Sequence, residues 1–152
     1  MSAALHLIVG VHAEAPCGAP PRALVADLTA NERIILWAFR LLAESRGNWG
    51  IVQQELWLCC GMANVEAALQ ALEDLIAILM REGRRPMLVK PSDARRMNAC
   101  EESLVALISA GCGADDDHLA AHARWLVRPL AQGELIGQAL RLGQAFPCGR
   151  DA

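Results

Sequence analysis

This 152-residue chain contains no tyrosine and only two phenylalanines, and aromatic residues of all kinds make up 4% of it. So few polar-tipped rings leave little material for an aromatic-lined substrate pocket. Also missing are GxSxG, HExxH, any phosphate-cradling glycine-rich loop and any CxxC pair. The usual signatures of a serine hydrolase, a zinc peptidase, a nucleotide-binding fold and a dithiol site are therefore absent. An enzymatic reading is left without a residue to carry it, and nothing points to a cofactor. No run of about 18 apolar residues escapes a charge, so no membrane span is expected; the best candidate, "IILWAFRLLA", is interrupted by Arg40. The first apolar run has no Lys or Arg before it and is broken by His6, which disfavours an export signal. The expected compartment is the cytoplasm, with the six cysteines reduced.

What is present is apolar: 54% hydrophobic against 20% charged residues. Such a composition excludes disorder and suits one domain with a real core. Net charge is −3 but unevenly spread. Residues 81–96 hold Arg81, Arg84, Arg85, Lys90, Arg95 and Arg96 against Glu82 and Asp93, a net of +4, which leaves −7 for the remainder.

Periodicity predicts a mostly α domain, a compact bundle of about six helices. "TANE" at 29–32 is a capping-box pattern in which Thr29 and Glu32 satisfy each other's amides. In the helix that follows, Ile34, Ala38, Leu41 and Leu42 form an apolar face, with Arg33, Trp37, Arg40 and Glu44 on a polar stripe opposite. Trp37 there is expected either to be covered by another segment or to stack under Arg33 or Arg40. Asn48 is expected to cap a second helix ended by Gly61, and Asn64 a third whose stripe is Val65, Ala68, Leu69, Leu72, Ile76, Leu79 and Met80. Pro86 and Pro91 bracket "MLVK", too short for a helix, so 86–90 reads as a short extended or β segment that could pair with 5–11. Asn98 with Glu101 restarts a helix that Gly111 is expected to stop. Asp115–Asp117 cap the next helix, and a last one runs over 134–145, where Gly133 and Gly137 would permit close helix approach. The expected organisation is an extended N-terminal segment over 1–27, a single helical domain over 28–146 and a tail over 147–152.

Three constellations could carry a function. Helices two and three with the "RRPMLVKP" stretch resemble, in outline, a winged helix-turn-helix regulator over about residues 29–92. The would-be reading helix carries Glu66, Glu73 and Asp74 and no cation before Arg81. Since phosphate neutralisation dominates affinity for DNA, nucleic acid is disfavoured as a partner. "HLAAH" sets His118 and His122 four residues apart, a spacing that lets two imidazoles share a metal on one helix face. The alternative is that Asp115–Asp117 are a helix cap and the two histidines are simply partly exposed. Finally, Arg84, Arg85, Lys90, Arg95 and Arg96 flank a non-helical stretch, and arginine suits contacts to carboxylate or phosphate. Their alternative fate is pairing with acidic helix faces of the same chain.

The run from Ala68 to Ile108 also resembles an uncharacterised family of small helical bacterial proteins, a domain of unknown function. The matching positions are Glu73, Arg85, Pro86, Val89, Pro91, Arg96, Met97, Glu101 and Glu102. Family members tend to carry cysteines after the second proline, where this chain has Ser92, Asp93 and Ala94. The resemblance thus implies no metal or redox role and no particular activity. The expected function is binding: the basic loop over 81–96, with Trp37, meets an acidic protein or a phosphate-bearing partner, or a second copy of the chain, as the aromatic content of Trp37, Trp49 and Trp57 supports.

Overall fold

The computed structural model describes residues 24–113 and 115–146. They form six helices: α1 (Ala30–Glu44), α2 (Trp49–Cys60), α3 (Val65–Glu82), α4 (Ala99–Gly113), α5 (Asp116–Leu126) and α6 (Gln132–Ala145). Single 3-10 turns precede α1, α2 and α6. None of the six helices is long and apolar enough to cross a membrane.

The capping box at the start of α1 forms as the sequence predicts. Thr29 Oγ1 accepts from the Glu32 amide at 3.2 Å, and Glu32 Oε2 accepts from the Thr29 amide at 2.8 Å. A second box opens α4: the Glu101 amide donates to Asn98 Oδ1 at 2.8 Å, and the Asn98 amide to Glu101 Oε1 at 3.0 Å. Asp115 caps α5 by accepting from the His118 amide. The asparagines expected to cap α2 and α3 do something else. Asn48 Nδ2 donates backward to the Leu41 carbonyl at 2.8 Å, closing the end of α1 instead. Asn64 Nδ2 reaches back to the Cys60 carbonyl at 3.4 Å, across the turn in which Gly61 takes φ +77°.

α4 is the central element. Nine of its residues, from Cys100 to Gly111, are buried, and it packs against α6 and α5, while α6 also lies on α3. The close crossing is not at Gly133 or Gly137, where an added Cβ would meet nothing within 4 Å. It lies at Gly111 and Gly143. A Cβ on Gly111 would come 2.5 Å from the Ala139 carbonyl oxygen, and one on Gly143 would come 2.6 Å from the Cys112 amide nitrogen. Gly111 therefore does not stop α4; it lets α6 touch it.

The core is one large cluster from all six helices, plus a small one of Leu36, Met97 and Val105 covered by Val25 and Leu28. Burying aliphatic side chains at about 25 cal/mol per Å² is the main stabilising term. Val25, ahead of α1, thus packs on the fold. Residues 86–90 are extended but belong to no strand. Among the described residues, β pairing is limited to two isolated antiparallel bridges, Leu24 with Arg96 and Gly83 with Val127. The pairing expected with 5–11 lies outside the described residues, as do most of the 1–27 segment and the whole of the 147–152 tail.

Candidate functional site

α3 ends because Gly83 leaves the helical region and Pro86 cannot donate a backbone hydrogen bond. The chain then runs without helix to Asn98, yet it is fastened along its whole length. The Arg84 amide donates to the Leu126 carbonyl at 3.0 Å, and the Arg84 Nε to the Val127 carbonyl at 2.8 Å. Asn98 Nδ2 donates to the Leu88 carbonyl at 2.8 Å, and the Ser92 amide to Glu44 Oε1 at 2.8 Å. Met87, Val89 and Met97 are buried beneath it.

The strongest fastening comes from Arg40, on α1. This side chain is 1% exposed and pairs with the fully buried Glu101 of α4, Nε to Oε2, at 2.6 Å. Nη2 also donates to Glu101 Oε1 at 3.3 Å, and two loop carbonyls accept from the same group, Ala94 from Nη1 at 2.7 Å and Arg96 from Nη2 at 3.0 Å. Burying a guanidinium requires acceptors for its donors, and each of the three nitrogens has at least one. Arg40 is thus not on a polar stripe with Arg33 and Glu44, as the helical periodicity suggests. It is the interior post on which the basic loop hangs.

The loop cations themselves face outward. Arg84, Arg85, Arg95 and Arg96 are exposed and Lys90 is half-buried. Among the described residues none of these five lies within ion-pair distance of a carboxylate. The Arg85 guanidinium stacks on the Trp125 ring, 4.1 Å from its centroid. The structure fixes Arg84 and Arg85 at the end of α5 and Arg95 and Arg96 beside the start of α1, where the Val25 amide donates to the Arg95 carbonyl at 2.9 Å. Trp37 is half-buried against the main core, and among the described residues the cation–ring contact is Arg85 over Trp125, with none on Trp37.

His118 and His122 both line a cleft of about 1030 Å³ between α4 and α5, but each has an intrachain partner. His118 Nδ1 sits 2.6 Å from Asp115 Oδ2, a contact that holds the Asp115 carboxyl below its ordinary range. His122 Nδ1 shares a hydrogen bond of 3.0 Å with Ser103 Oγ. Burial, and secondarily the nearby His118, lowers the His122 pKa, which favours a neutral ring. The described residues contain no group of three or more His, Cys, Asp and Glu side chains arranged to hold a metal ion.

The described cysteines are not activated. Burial raises the thiols of Cys59 and Cys100, and that of Cys60 is pushed up to about 11. Thiolate, the reactive form, is correspondingly scarce. Cys112 is disulfide-bonded, so the expectation of six reduced thiols does not hold there.

The Arg40–Glu101 pair, 61 residues apart in sequence, is the feature that sequence reasoning misses. Its signal was a lone charge inside "IILWAFRLLA", where solvent exposure is hard to arrange with Phe39 and Leu42 both buried beside it. Compared with protein-family models, curated proteins and solved structures, the chain matches none.

Proposed function

We propose that this protein acts by binding, and that the loop over residues 84–96 is the docking surface for an acidic segment of a partner protein. One observation carries the reading: Arg84, Arg85, Lys90, Arg95 and Arg96 have no carboxylate within ion-pair distance among the described residues, although the chain is acidic overall. A rigid frame supports it. Buried Arg40, Glu101 and Asn98 hold the loop backbone, so little ordering entropy is lost when a partner binds. Nucleic acid is a poorer fit, since the exposed face of α3 presents Glu66 and Glu73. Steered association of opposite charges should weaken steeply with added salt.

The test is isothermal titration of the full chain with a short polyglutamate peptide at low and at physiological ionic strength. Saturable binding that falls with salt, and that a triple Arg85→Ser, Arg95→Ser, Arg96→Ser variant loses while keeping its helical circular dichroism, supports the reading. Equal binding by wild type and variant ends it.

A second copy of the chain is the other partner in view, and α2 carries the observation that favours it. Ile51, Trp57, Leu58 and Met62 are 52%, 47%, 67% and 80% exposed, along and just past that helix. Sedimentation velocity over a range of concentrations tests it. Association that Leu58→Glu abolishes supports a dimer through α2, and a monomer at every concentration excludes one.

A further inference from the structure

Away from the basic loop, a cleft of about 710 Å³ opens between the end of α1, the first residue of α2 and the last turns of α3. Leu42 and Ile76, both nearly buried, form its floor, and Trp49, Ala77 and Met80 form its walls. On α3 the spacing is informative. Glu73, Ala77, Met80 and Arg81 follow one another at intervals of one to four residues on a single outward face, and the two apolar ones fall between the charges. A methyl group at 77 leaves open the space that a longer side chain would fill. Volume and lining match those of sites that enclose one small, largely apolar ligand.

The rim supplies the polarity. Arg46 and Arg81 are on it with Glu73. Arg81 already lies 3.2 Å from Glu134 and 3.6 Å from Glu82. Arg46 is exposed and has no carboxylate within ion-pair distance among the described residues. One unmatched guanidinium above an apolar cavity suits a ligand with an apolar body and a single negative charge. Glu73 on the same rim opposes a doubly charged head.

We infer that this cleft is a binding site for an amphiphilic carboxylate, its apolar tail against Trp49, Ile76, Ala77 and Met80 and its carboxylate on Arg46. Arg46 can meet both carboxylate oxygens with parallel N–H donors at the mouth of the cleft. The site uses none of the loop cations and stands whether or not the loop docks a protein.

Decanoate, decanol and decyl phosphate, each below its aggregation limit, are titrated calorimetrically into the full chain, with Trp49→Phe used to assign any accompanying fluorescence change. The expected result is saturable one-site binding of decanoate, weaker by about tenfold for decanol, since a charge-assisted hydrogen bond is worth about that factor or more. Arg46→Ser should weaken decanoate by about the same factor and leave decanol unchanged. Ala77→Phe, which fills the cavity, should abolish both. Arg46 is exposed, so its variant reads the site even where Ala77→Phe disturbs folding. Equal affinity for decanoate and decanol overturns the proposal, as does tighter binding of decyl phosphate. So does decanoate binding untouched by both variants, which would place the ligand elsewhere. Self-association lost in Ala77→Phe would show a second copy in the cleft and overturn it equally.

Discussion

At the scale of single residues, Arg40 is the side chain on which most depends. Its charge is almost wholly withdrawn from water and is compensated by Glu101 and two loop carbonyls. Removing one member of such a pair strands the other's charge, which costs about 3–5 kcal/mol, whereas replacing both by apolar residues is often nearly neutral. Arg40→Met should therefore lower unfolding stability by about that amount. Glu101→Leu should cost at least as much, because Glu101 also receives the Asn98 amide. The double variant should recover much of the loss, as urea titrations of all four proteins will show. His122 gives the corresponding prediction for pH. Burial holds its folded pKa below the ordinary 6.5, so the unfolded chain binds the proton first as pH falls. Stability from this group is therefore full above that value and declines below it, levelling only once the folded ring protonates too. His122→Gln should remove that part of the slope between about pH 7.5 and pH 5.5, measured by denaturant midpoint. Neither residue's environment is visible in a linear reading. Arg40 has the spacing of a polar stripe, and only the approach of α4 and the loop buries it while Arg33 and Glu44 stay exposed. The histidines have metal-ligand spacing, and only the packing of α5 on α4 gives His122 the hydroxyl of Ser103.

Among the helices, what could be read from the sequence was whatever is decided locally. The capping boxes at Thr29 and Asn98 and the Asp115 cap involve partners three residues apart, and all three form. In the α3 stripe Ala68, Leu72, Ile76 and Leu79 are buried, Val65 and Leu69 are half-buried and Met80 is exposed. What could not be read was which helices touch. Gly133 and Gly137 share the small-residue spacing that permits close approach, but they face open space. Gly111, which had the look of a helix stop, sits under the Ala139 carbonyl because α6 crosses there. The two kinds of glycine should separate cleanly on mutation. Gly111→Ala and Gly143→Ala force backbone apart and should each destabilise by about 1–3 kcal/mol, the usual cost of overpacking. Gly133→Ala and Gly137→Ala meet nothing and gain helix propensity, so each should be neutral or stabilising by up to about 1 kcal/mol. Thermal melts of the four variants, with helicity checked beforehand, decide it. Should all four behave alike, α4 and α6 do not cross at Gly111 and Gly143.

For the molecule as a whole, the division of labour among its charges is the physical theme. The ion pair that anchors the loop is hidden, and the loop's visible cations meet no carboxylate among the described residues. Six helices with a short extended stretch were apparent from periodicity and prolines, and so was the polarisation of charge toward residues 81–96. The interior support of that stretch was not, since it depends on groups up to 61 residues apart. A surface retained for folding should lose stability when trimmed. Arg95 and Arg96 are exposed, meet no carboxylate among the described residues, and touch the fold through backbone carbonyls, which any residue supplies. Arg95→Ser and Arg96→Ser should therefore shift unfolding free energy by less than about 0.5 kcal/mol, the range of ordinary surface changes. Arg85→Ser should cost somewhat more, about 0.5–1 kcal/mol, because it gives up the stack on Trp125. If binding of an acidic peptide falls in the same variants whose stability holds, the loop's charge serves recognition. If stability falls by as much as it does in Arg40→Met, the loop cations belong to the fold, and a docking surface must be sought on the exposed apolar side of α2.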